Sequence, residues 1–600
     1  PKPNQAAKIP FSPVSVSTDM LPVEKRDFIS LGSGLDRCAI LRKSCLILPT
    51  YPNVPFVIGK RILNDITQVF FWQPSIVLKI VPFSVYNLYM ALAKIKSATT
   101  WGLKIIKMQI EVDLSDGLPA FIIVGLPDKA VEEAKERVRA AIKNSGFRFP
   151  QNRITVNLAP ADIPKEGPAY DLPIALGIMA ASVQVKANFN EILALGELSL
   201  DGSLRHTNGI LPIILEAEKL KVSEVYVPSS NVKEIPENNL KTFGLSNFKD
   251  LIFHLNNEKR LIPERIEPFS GHTENHYLDI SAIKGQLHAK RALEIAAAGG
   301  HNILFFGPPG SGKTMLAKSL PGILPELSLS EAIEITKIYS VAGTLEENEG
   351  LKKTRPFRSP HHTASNISLI GGGKNPKPGE ISMSHRGVLF LDELAEFPRT
   401  VLEVLRQPLE EGSIVISRAQ GSIKYPAKFI LVASTNPCPC GNLGDSKKEC
   451  RCAQSAIIKY QSKISGPLLD RIDLHLEVPR INIEEMQSLK EGESSEIVRE
   501  RVSFAREIQF KRFASQNILT NSEMTNEDLK TYCVLDKKIQ ETLKMAAEKM
   551  ALSARAYHRI IKISRTIADL ENSENIREEH VLEALQYRQK NSFTQTHSHL

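Results

Sequence analysis

The chain has 600 residues, of which 42% are hydrophobic and 24% charged, and its formal net charge is +8. At roughly 150 residues per domain this length suggests about four structural units of ordinary globular composition. The composition excludes a wholly disordered chain, a collagen-like chain and a small disulfide-rich scaffold. Much of the positive excess lies in residues 1–89. The net charge is therefore a poor argument for nucleic-acid binding, which only a local cluster could support.

The cysteines and the hydropathy predict where the chain acts. Four of the seven cysteines fall between Cys438 and Cys452, which favours a reducing cytoplasm over a secreted disulfide scaffold. The sequence contains no run of about 20 apolar residues, so we expect no membrane partner. Residues 1–89 show no sustained hydrophobic period. We expect Met90 to be the natural start, and a real but poorly ordered extension over residues 1–89 is the alternative.

Short strands alternate with helices from Met90 to about Arg265. Ile105–Leu114 alternates apolar and polar residues, as a half-buried strand does, and Phe121–Val124 is an apolar run that ends at a glycine. Val131–Asn144 has helical spacing with charged residues on its outer face. We therefore predict an α+β domain over residues 90–265.

Buried strands separated by helices begin at about residue 266. The predicted elements are a helix at Gly285–Ala298 and apolar strands at Ile303–Phe306, Val388–Leu391 and Phe429–Ser434. This order is typical of a parallel sheet covered by helices on both faces, an α/β fold, over residues 266–480. After about Pro479 the strand patterns stop. Three or four amphipathic helices are predicted in residues 481–600, ending near Gln589.

A glycine-rich loop follows the first of these strands. The motif G-x-x-x-x-G-K-[ST] is formed by Gly307, Pro308, Pro309, Gly310, Ser311, Gly312, Lys313 and Thr314. Between a strand and a helix, the backbone N–H groups of such a loop close around phosphates, and the helix N-terminus adds its positive end. Lys313 would reach the β- and γ-phosphates and the Thr314 hydroxyl would ligate Mg²⁺. The predicted cofactors are therefore ATP and Mg²⁺.

Further polar residues follow the later strands. Asp392 would join the magnesium shell, and Glu393 would polarise the attacking water as a general base. Asn436 follows the next strand, where its amide could orient that water. Arg471 follows a turn, and its spacing suits either a contact with a γ-phosphate or a surface salt bridge with a neighbouring aspartate.

Two segments carry local positive charge. Leu351–Gly379 has no acidic residue, and its basic residues are Lys352, Lys353, Arg355, Arg358, Lys374 and Lys377. A strand–turn–strand pattern at Gly412–Lys428 puts Arg418 in its turn and Lys424 close behind. Both segments suit a phosphate backbone that is bound without sequence readout, so DNA is the predicted partner. For the first segment, a solvated loop that packs on a neighbouring subunit remains the alternative.

The cysteines form the spacing C-x-C-x9-C-x-C with Cys438, Cys440, Cys450 and Cys452. Four thiolates could make a structural, tetrahedral Zn²⁺ site, and four reduced thiols in a glycine-rich turn are the alternative. His361 and His362 are adjacent and lack a carboxylate at ligand spacing. We expect packing or phosphate contact from these two histidines.

Together these residues resemble the AAA+ ATPases, and specifically the magnesium-chelatase-like ComM/YifB family. The resemblance extends from Met90 to about Gln589. Its most specific strings are GLPAFIIVGLPDKAVEEAKERVR at Gly117–Arg139, KEGPAYDLP at Lys165–Pro173, RPFRSPHHTAS at Arg355–Ser365 and NPCPCG at Asn436–Gly441. The resemblance implies an AAA+ core, an all-α lid, an N-terminal domain similar to the Lon protease domain with the ribosomal S5-type fold, and hexameric rings with active sites between subunits.

The resemblance also implies roles for single residues. Those roles are Walker A for Lys313 and Thr314, Walker B for Asp392 and Glu393, sensor 1 for Asn436, the arginine finger for Arg471 and sensor 2 for Arg555. In the N-terminal domain, Ala169 and Leu211 stand where Lon carries its serine nucleophile and its lysine. Acyl transfer needs an activated nucleophile, so we expect no protease activity.

The predicted protein is a cytoplasmic, Mg²⁺-ATP-dependent hexameric motor that acts on DNA. By resemblance, its work would be branch migration or helicase-like remodelling in recombination or natural transformation. The first alternative is the motor subunit of a metal chelatase, which generally lacks a Lon-like domain. The second is an ATP-dependent protease, and the third is a nucleotide-gated scaffold.

Overall fold

The computed structural model describes residues 92–588 and one isolated strand pair. Gaps within that range fall at residues 164, 166, 272–276, 374–375, 419–420, 446, 482–491 and 517. The pair consists of Leu46–Ile47 (β1) and Val57–Ile58 (β2), which run antiparallel. The chain divides into two compact units, Pro1–Val85 and Tyr86–Leu600, and the second carries every other element. Residues 1–89, apart from this strand pair, and Met90 lie outside the described residues. The predictions of a poorly ordered extension and of a start at Met90 therefore stay predictions.

A mixed sheet of seven strands forms the first part of the second unit. The strands here are Ala93–Trp101 (β3), Lys104–Ser115 (β4), Ala120–Val124 (β5), Arg153–Ala159 (β6), Ile192–Ala194 (β7), Glu197–Leu198 (β8), Leu204–Arg205 (β9), Glu224–Pro228 (β10) and Lys241–Leu245 (β11). The sheet order is β11-β10-β7-β3-β4-β6-β5, and β8 pairs with β9 separately. The helices are Lys129–Asn144 (α1), Asp171–Ala181 (α2), Ile210–Leu215 (α3) and Phe248–Leu255 (α4). The predicted strands at Ile105–Leu114 and Phe121–Val124 and the helix at Val131–Asn144 are confirmed.

The two long helices of this part differ in how they are buried. α1 begins where the side chain of Asp128 accepts the N–H of Val131 at 2.8 Å, and it buries one face. α2 is apolar on all sides and almost wholly buried. Its single carboxylate, Asp171, is fully buried and is held by the Arg137 guanidinium of α1 at 2.6 and 3.0 Å. Burial nevertheless raises the pKa of Asp171 to about 6.

A parallel sheet of five strands forms the second part. This part contains the five strands of the sheet and four strands that pair separately. In chain order they are Ile303–Phe306 (β12), Phe357–Arg358 (β13), Gly371–Gly372 (β14), Lys377–Pro378 (β15), Val388–Leu391 (β16), Ser413–Arg418 (β17), Gly421–Pro426 (β18), Ile430–Thr435 (β19) and Leu474–Glu477 (β20). The sheet order is β13-β16-β19-β12-β20, with every neighbouring pair parallel. β14 with β15 and β17 with β18 form antiparallel pairs of their own.

Helices cover both faces of the parallel sheet. They are Leu287–Gly299 (α5), Lys313–Ile323 (α6), Leu329–Ala342 (α7), Asn366–Ile370 (α8), Glu380–Met383 (α9), Arg399–Val404 (α10), Arg406–Glu411 (α11), Gln454–Gln461 (α12) and Gly466–Leu469 (α13). On one face Phe305 packs in a core with Leu293 of α5, and on the other Leu431 packs in a core with Leu402 of α10. The predicted α/β fold is therefore confirmed. α5 begins two residues later than predicted, because Gln286 has a left-handed φ of 50°.

Helices alone follow the parallel sheet in the described residues. They span Ser495–Arg512, Asn526–Tyr532, Lys537–Met550, Ala554–Leu570 and Glu578–Gln586. The prediction of three or four helices was therefore too low, because Asn526–Tyr532 is too short to show a period and depends on its Thr525 capping box. Ile560 and Ile567 share the core of Phe305, so these C-terminal helices pack on the α5 face of the sheet. In the described part of the chain, every helix is too short or too polar to cross a membrane.

Candidate nucleotide-binding site

The glycine-rich loop joins the carboxyl end of β12 to the start of α6. Gly310 and Gly312 have left-handed φ angles of 76° and 95°, which favour glycine. A β-carbon on Gly307 would lie 2.3 Å from the Val478 carbonyl oxygen, so this position has no room for a side chain. α6 begins at Lys313, and the unpaired N–H groups of its first turn lie at the loop. The motif predicted from the sequence therefore sits at a helix N-terminus, where phosphate binds favourably.

The Lys313 ammonium lies inside this loop. It donates to the carbonyl oxygens of Gly307 and Pro308 at 2.7 and 2.9 Å, and to Oδ1 of Asn436 at 3.3 Å. Burial lowers the pKa of Lys313 to about 8, although the nearby carboxylates of Asp392 and Glu393 act in the opposite direction. The side chain of Lys313 is thus shielded from water and held beside Asn436. A phosphate in the loop would give this cation a stronger partner than the two carbonyls.

Asp392 and Thr314 meet across two neighbouring elements. The Thr314 hydroxyl donates to Oδ2 of Asp392 at 3.0 Å, and the Ser434 hydroxyl donates to Oδ1 of the same carboxylate. Asp392 follows β16 and Ser434 is the last residue but one of β19, and the parallel pairing of these strands brings their carboxyl ends together. A hydroxyl and a carboxylate at this separation are suitable ligands for Mg²⁺. The sequence pattern did not single out Ser434, which only the pairing of the two strands places here.

Glu393 lies beside Asp392 in a constrained position. Its φ of 53° is left-handed, and its N–H donates to the Ser434 hydroxyl at 3.2 Å. The side chain is about half exposed, and its Oε2 lies 4.0 Å from Nδ1 of His362. This carboxylate is a neighbour of His362 that the spacing in the sequence did not indicate, whereas the expectation for this histidine was packing or phosphate contact. No local pattern could reveal this contact. His362 follows β13 and Glu393 follows β16, and these two strands are neighbours only in the folded sheet.

Arg471 and Arg555 converge on a single carboxylate. Nη2 of Arg471 lies 2.6 Å from Oε1 of Glu410, and Nη2 of Arg555 lies 3.2 Å from the same oxygen. The partner of Arg471 is thus neither of the aspartates beside it in sequence. Its side chain is only 8% exposed, whereas that of Arg555 is 59% exposed.

These two arginines lie at the amino ends of the parallel strands, whereas the glycine-rich loop lies at their carboxyl ends. Arg471 precedes β20, and its carbonyl accepts from Nδ2 of Asn302, the residue just before β12. The loop follows β12, and a four-residue strand spans about 13 Å. Neither arginine therefore belongs to the same phosphate site as Lys313 of its own chain.

Two of the predicted DNA-contacting arginines are already paired. Arg355 contacts the carboxylate of Glu331 at 3.1 and 3.2 Å and also donates to backbone carbonyls. Arg358 makes a two-point contact with Glu380 at 2.6 and 2.7 Å. These pairs engage the guanidinium groups within the protein, which argues against Arg355 and Arg358 as phosphate contacts. Lys374 lies outside the described residues.

The hairpin of β17 and β18 leaves its basic residues in solvent. Ile416 and Ile423 face the core, and the exposed positions include Arg418 at the end of β17 and Lys424 in β18. Nη2 of Arg418 lies 3.0 Å from the point where a β-carbon of Gly372 would stand. The hairpin tip and the glycine tip of the basic segment are therefore neighbours, as one continuous surface would require.

The N-terminal sheet touches this hairpin directly. The turn between β3 and β4 contains Gly102, whose left-handed φ is 61°. A β-carbon there would lie 2.3 Å from Cγ2 of Ile423 and 3.2 Å from the Tyr425 hydroxyl. Trp101 and Leu103 pack against the same hydrophobic core as these two hairpin residues. The seven-stranded sheet thus supports the inner face of the hairpin.

The positions compared with Lon lie in the N-terminal sheet region. Lys165 is fully buried, and its ammonium donates to the carbonyl oxygen of Pro160. The Ala169 carbonyl accepts from the N–H of Gly196 at 3.0 Å, and Leu211 is buried in α3. Neither Ala169 nor Leu211 has a side chain that could attack a carbonyl carbon or transfer a proton.

The four clustered cysteines come together in space. The Sγ atoms of Cys438 and Cys440 are 3.4 Å apart, and each lies 3.6 Å from Sγ of Cys450. With Cys452 included, all four sulfur atoms lie within 4.8 Å of one another. Four thiolates at 2.3 Å from a tetrahedral Zn²⁺ would be about 3.8 Å apart. Hydrogen bonding from the N–H of Asn442 lowers the pKa of Cys440 to about 6, which favours the thiolate.

The fold and the site together define a P-loop nucleotide-binding protein of the AAA+ type. Comparison with known families gives three matches in chain order. "Subunit ChlI of Mg-chelatase" matches residues 110–231, "Magnesium chelatase, subunit ChlI" matches residues 279–486, and "Magnesium chelatase, subunit ChlI C-terminal" matches residues 492–588. The chain therefore carries all three parts of a magnesium-chelatase-like protein.

Individual relatives define the family more closely. The competence protein ComM of Haemophilus influenzae is 47% identical over 508 residues, which cover 83% of this chain and 98% of ComM. YifB of Escherichia coli is 42% identical over 501 residues, covering 83% of this chain and 97% of YifB. The magnesium-chelatase 38 kDa subunit of Rhodobacter capsulatus is 29% identical over 191 residues, 29% of this chain and 54% of that subunit. The chain belongs to the ComM/YifB family of magnesium-chelatase-like AAA+ ATPases.

Proposed function

We propose that this protein is a motor that hydrolyses Mg²⁺-ATP and acts on DNA. The observation that carries the ATP site is the meeting of Lys313, Thr314 and Asp392 at one edge of the parallel sheet. Lys313 binds the β- and γ-phosphates, while Thr314 and Asp392 hold Mg²⁺. Glu393 is the general base, and Asn436 orients the attacking water.

The motor works as a homo-hexameric ring with its ATP sites between subunits. The position of Arg471 and Arg555, at the ends of the strands away from the loop of their own chain, supports sites between subunits. An arginine stabilises a γ-phosphate only by contact, so in this proposal both serve the ATP site of a neighbouring chain. Both side chains contact Glu410, so each must leave this carboxylate to reach a neighbour, and Arg555 is the more exposed of the two.

DNA binds to the hairpin of β17 and β18 and to the neighbouring tip of the basic segment. The exposed Arg418 and Lys424 supply the positive charge. Because Arg355 and Arg358 are paired inside the protein, we assign them to the stability of the segment. The name of the ComM relative concerns competence, which suits a role in branch migration or helicase-like remodelling of incoming DNA.

The N-terminal region, residues 90–265, is a Lon-like domain that has lost proteolysis and supports the hairpin. Support comes from the packing of the Gly102 turn on Ile423 and from Ala169 and Leu211 at the Lon catalytic positions. The AAA+ core takes residues 266–480 and the helical lid residues 481–600.

The four-cysteine cluster holds a structural Zn²⁺ in the same proposal. Three sulfur separations of 3.4 to 3.6 Å, with all four sulfur atoms within 4.8 Å of one another, suit a tetrahedral ion, and four thiolates leave no open position for catalysis. The cytoplasm is the compartment we assign, because thiols persist there as ligands.

The motor subunit of a metal chelatase is the second candidate function. Three family matches that carry the chelatase name favour it. Against it, the Rhodobacter capsulatus chelatase subunit matches only 29% of this chain, while ComM matches 83%.

ATP hydrolysis by the chain from Met90, with and without forked or Holliday-junction DNA, tests the proposal. DNA should stimulate hydrolysis, Lys313→Ala should abolish it, and Arg418→Ala should lose the stimulation while it keeps basal hydrolysis. Arg148→Ala is the matched control, since it removes an exposed arginine that lies outside both basic segments. Hydrolysis that ignores every DNA tested would exclude the DNA motor and favour the chelatase or the scaffold.

A further inference from the structure

The four-cysteine segment lies directly against the glycine-rich loop. Gly441 has a left-handed φ of 77°, and a β-carbon there would be 2.7 Å from Cδ of Pro309. Gly441 immediately follows Cys440, and its N–H donates to the carbonyl of Cys438 at 2.9 Å. The turn that holds two of the four sulfur atoms is therefore packed on the phosphate-binding loop.

A second connection runs through an ion pair. Asp445, between the two cysteine pairs, has a fully buried side chain, and its Oδ2 lies 3.5 Å from Nη2 of Arg480. The same Nη2 donates to the carbonyl oxygen of Pro309 at 3.0 Å. The cysteine segment thus meets Pro309 once by packing and once through the Arg480 guanidinium.

The start of the segment is also part of the ATP site. Asn436 accepts a hydrogen bond from Lys313 and stands two residues before Cys438. The carbonyl of Pro437 accepts from Nε2 of Gln461 at 2.9 Å, which ties the start of the segment to α12. Most of the remaining segment, up to Cys452, has neither helix nor strand to hold it in the described residues.

We infer that Zn²⁺ bound by Cys438, Cys440, Cys450 and Cys452 is a clamp that holds the phosphate-binding loop in its nucleotide-binding shape. This inference rests on the proposed ATP site. A loop without regular structure loses much conformational entropy on ordering, and a metal that joins its two ends removes most of that freedom in advance. The ordered turn then fixes Pro309 and Asn436 from one side. Nucleotide affinity depends on zinc, although the ion touches no nucleotide.

Zinc content and loop protection in the full chain test the clamp. The double variant Cys450→Ser, Cys452→Ser should lower the zinc content from about one ion per chain to near zero. Cys533→Ala, a cysteine outside the cluster, is the control and should keep its zinc. Hydrogen exchange at residues 307–312 in nucleotide-free protein should become faster in the double variant, and the Kd for ATP should rise about tenfold.

Arg480→Ala separates the clamp from the metal site. It should keep zinc, because Arg480 is not a ligand, and yet increase exchange in the loop, because the contact with Pro309 is lost. Arg148→Ala, which removes an exposed arginine from the N-terminal sheet domain, should change neither quantity.

Two results would overturn the clamp. They are a wild-type chain without zinc, and a zinc-free chain whose loop exchanges as slowly as that of the wild type. Lys313→Ala keeps the two proposals apart, since it should abolish ATP binding and retain zinc. If zinc and loop exchange behave as expected while the wild type binds no ATP, the clamp stands and the proposed function fails.

Discussion

Arg471 and Arg555 contact the same carboxylate oxygen, Oε1 of Glu410, from two different parts of the chain. Arg471 follows α13 in the core, and Arg555 lies in the first turn of the helix Ala554–Leu570. The hydrogen bond from Arg471 is the main reason why the pKa of Glu410 is lowered. Two guanidinium groups on one carboxylate leave a net positive charge at this edge. Such a cluster suits the γ-phosphate of a neighbouring chain.

The first prediction concerns a shared site. Lys313→Ala and Arg471→Ala should each hydrolyse ATP at least about 10³-fold more slowly than wild type. A mixture of the two should recover a measurable fraction, because some interfaces then pair an intact Lys313 with an intact Arg471. Steady-state hydrolysis at increasing ratios of the two variants measures the recovery.

The control is a second mixture, made from the single variants Lys313→Ala and Asp392→Asn. Both changes damage the same side of the interface, so this mixture should recover nothing. Recovery in the control, or none in the test mixture, would contradict an ATP site shared between subunits.

The second prediction separates ATP binding from hydrolysis. Glu393→Gln should lower kcat by about 10²–10⁴-fold, because an amide cannot take a proton from water. ATP binding should remain, since Lys313 and the Thr314–Asp392 pair are intact. Equilibrium binding of a fluorescent ATP analogue and single-turnover hydrolysis measure the two effects. A scaffold that only needs bound ATP would keep its function in this variant.

The third prediction tests the contact between the N-terminal domain and the hairpin. Gly102→Ala would place a methyl group 2.3 Å from Ile423 and should therefore displace the hairpin. We expect DNA-stimulated hydrolysis to fall severalfold while basal hydrolysis is unchanged. Gly146→Ala is the matched control, because Gly146 also has a left-handed φ, 89°, but no atom lies within 4 Å of the point where its methyl group would stand. Both variants bear a backbone cost of roughly 1–2 kcal/mol, so the difference between them isolates the clash.

The fourth prediction concerns pH. Burial raises the pKa of Glu234 from 4.5 to about 7, and Nδ2 of Asn231 donates to this carboxyl at 2.7 Å. The folded state therefore binds more protons than the unfolded state between these values. The stability from this group is complete below pH 4.5 and is lost as the pH rises through about 7, a fall in the free energy of unfolding of up to about 3 kcal/mol.

Urea denaturation between about pH 4.5 and pH 8 checks this expectation. Glu234→Gln should remove part of the pH dependence, whereas Glu237→Gln, which changes an exposed carboxyl, should leave it intact. Asp171 has a pKa raised to about 6 and acts in the same direction. The difference between variant and wild type therefore carries the result. Equal pH slopes for wild type and Glu234→Gln would show that Glu234 is charged in the folded protein.

The parallel sheet and its phosphate-binding loop could be predicted because their signals are local. A strand, a glycine loop and a helix follow one another in sequence, and Gly310 and Gly312 need their left-handed φ whatever surrounds them. The order of the strands brings Asp392 and Ser434 together, and a single stretch of sequence does not contain that information.

The basic segment shows the opposite case. Its lack of acidic residues predicted a free positive surface, but the acidic partners lie outside it, Glu331 in α7 and Glu380 in α9. Charge counted along the chain cannot show which guanidinium groups are already paired in space. For Arg355 and Arg358 the fold argues against the predicted contact with DNA. Arg418 keeps that prediction because its side chain is exposed to solvent.

By itself, the sequence determined the α/β core, the phosphate-binding loop and the cysteine spacing, since periodicity and short motifs act through neighbours along the chain. Only the tertiary structure decided that His362 lies near Glu393, that Arg471 and Arg555 share Glu410, and that the cysteine turn packs on Pro309. These contacts join segments far apart in sequence. They exist because parallel strands bring loops that are distant in sequence together at the same ends of the strands. The periodicity of the sequence does not encode which loops become neighbours.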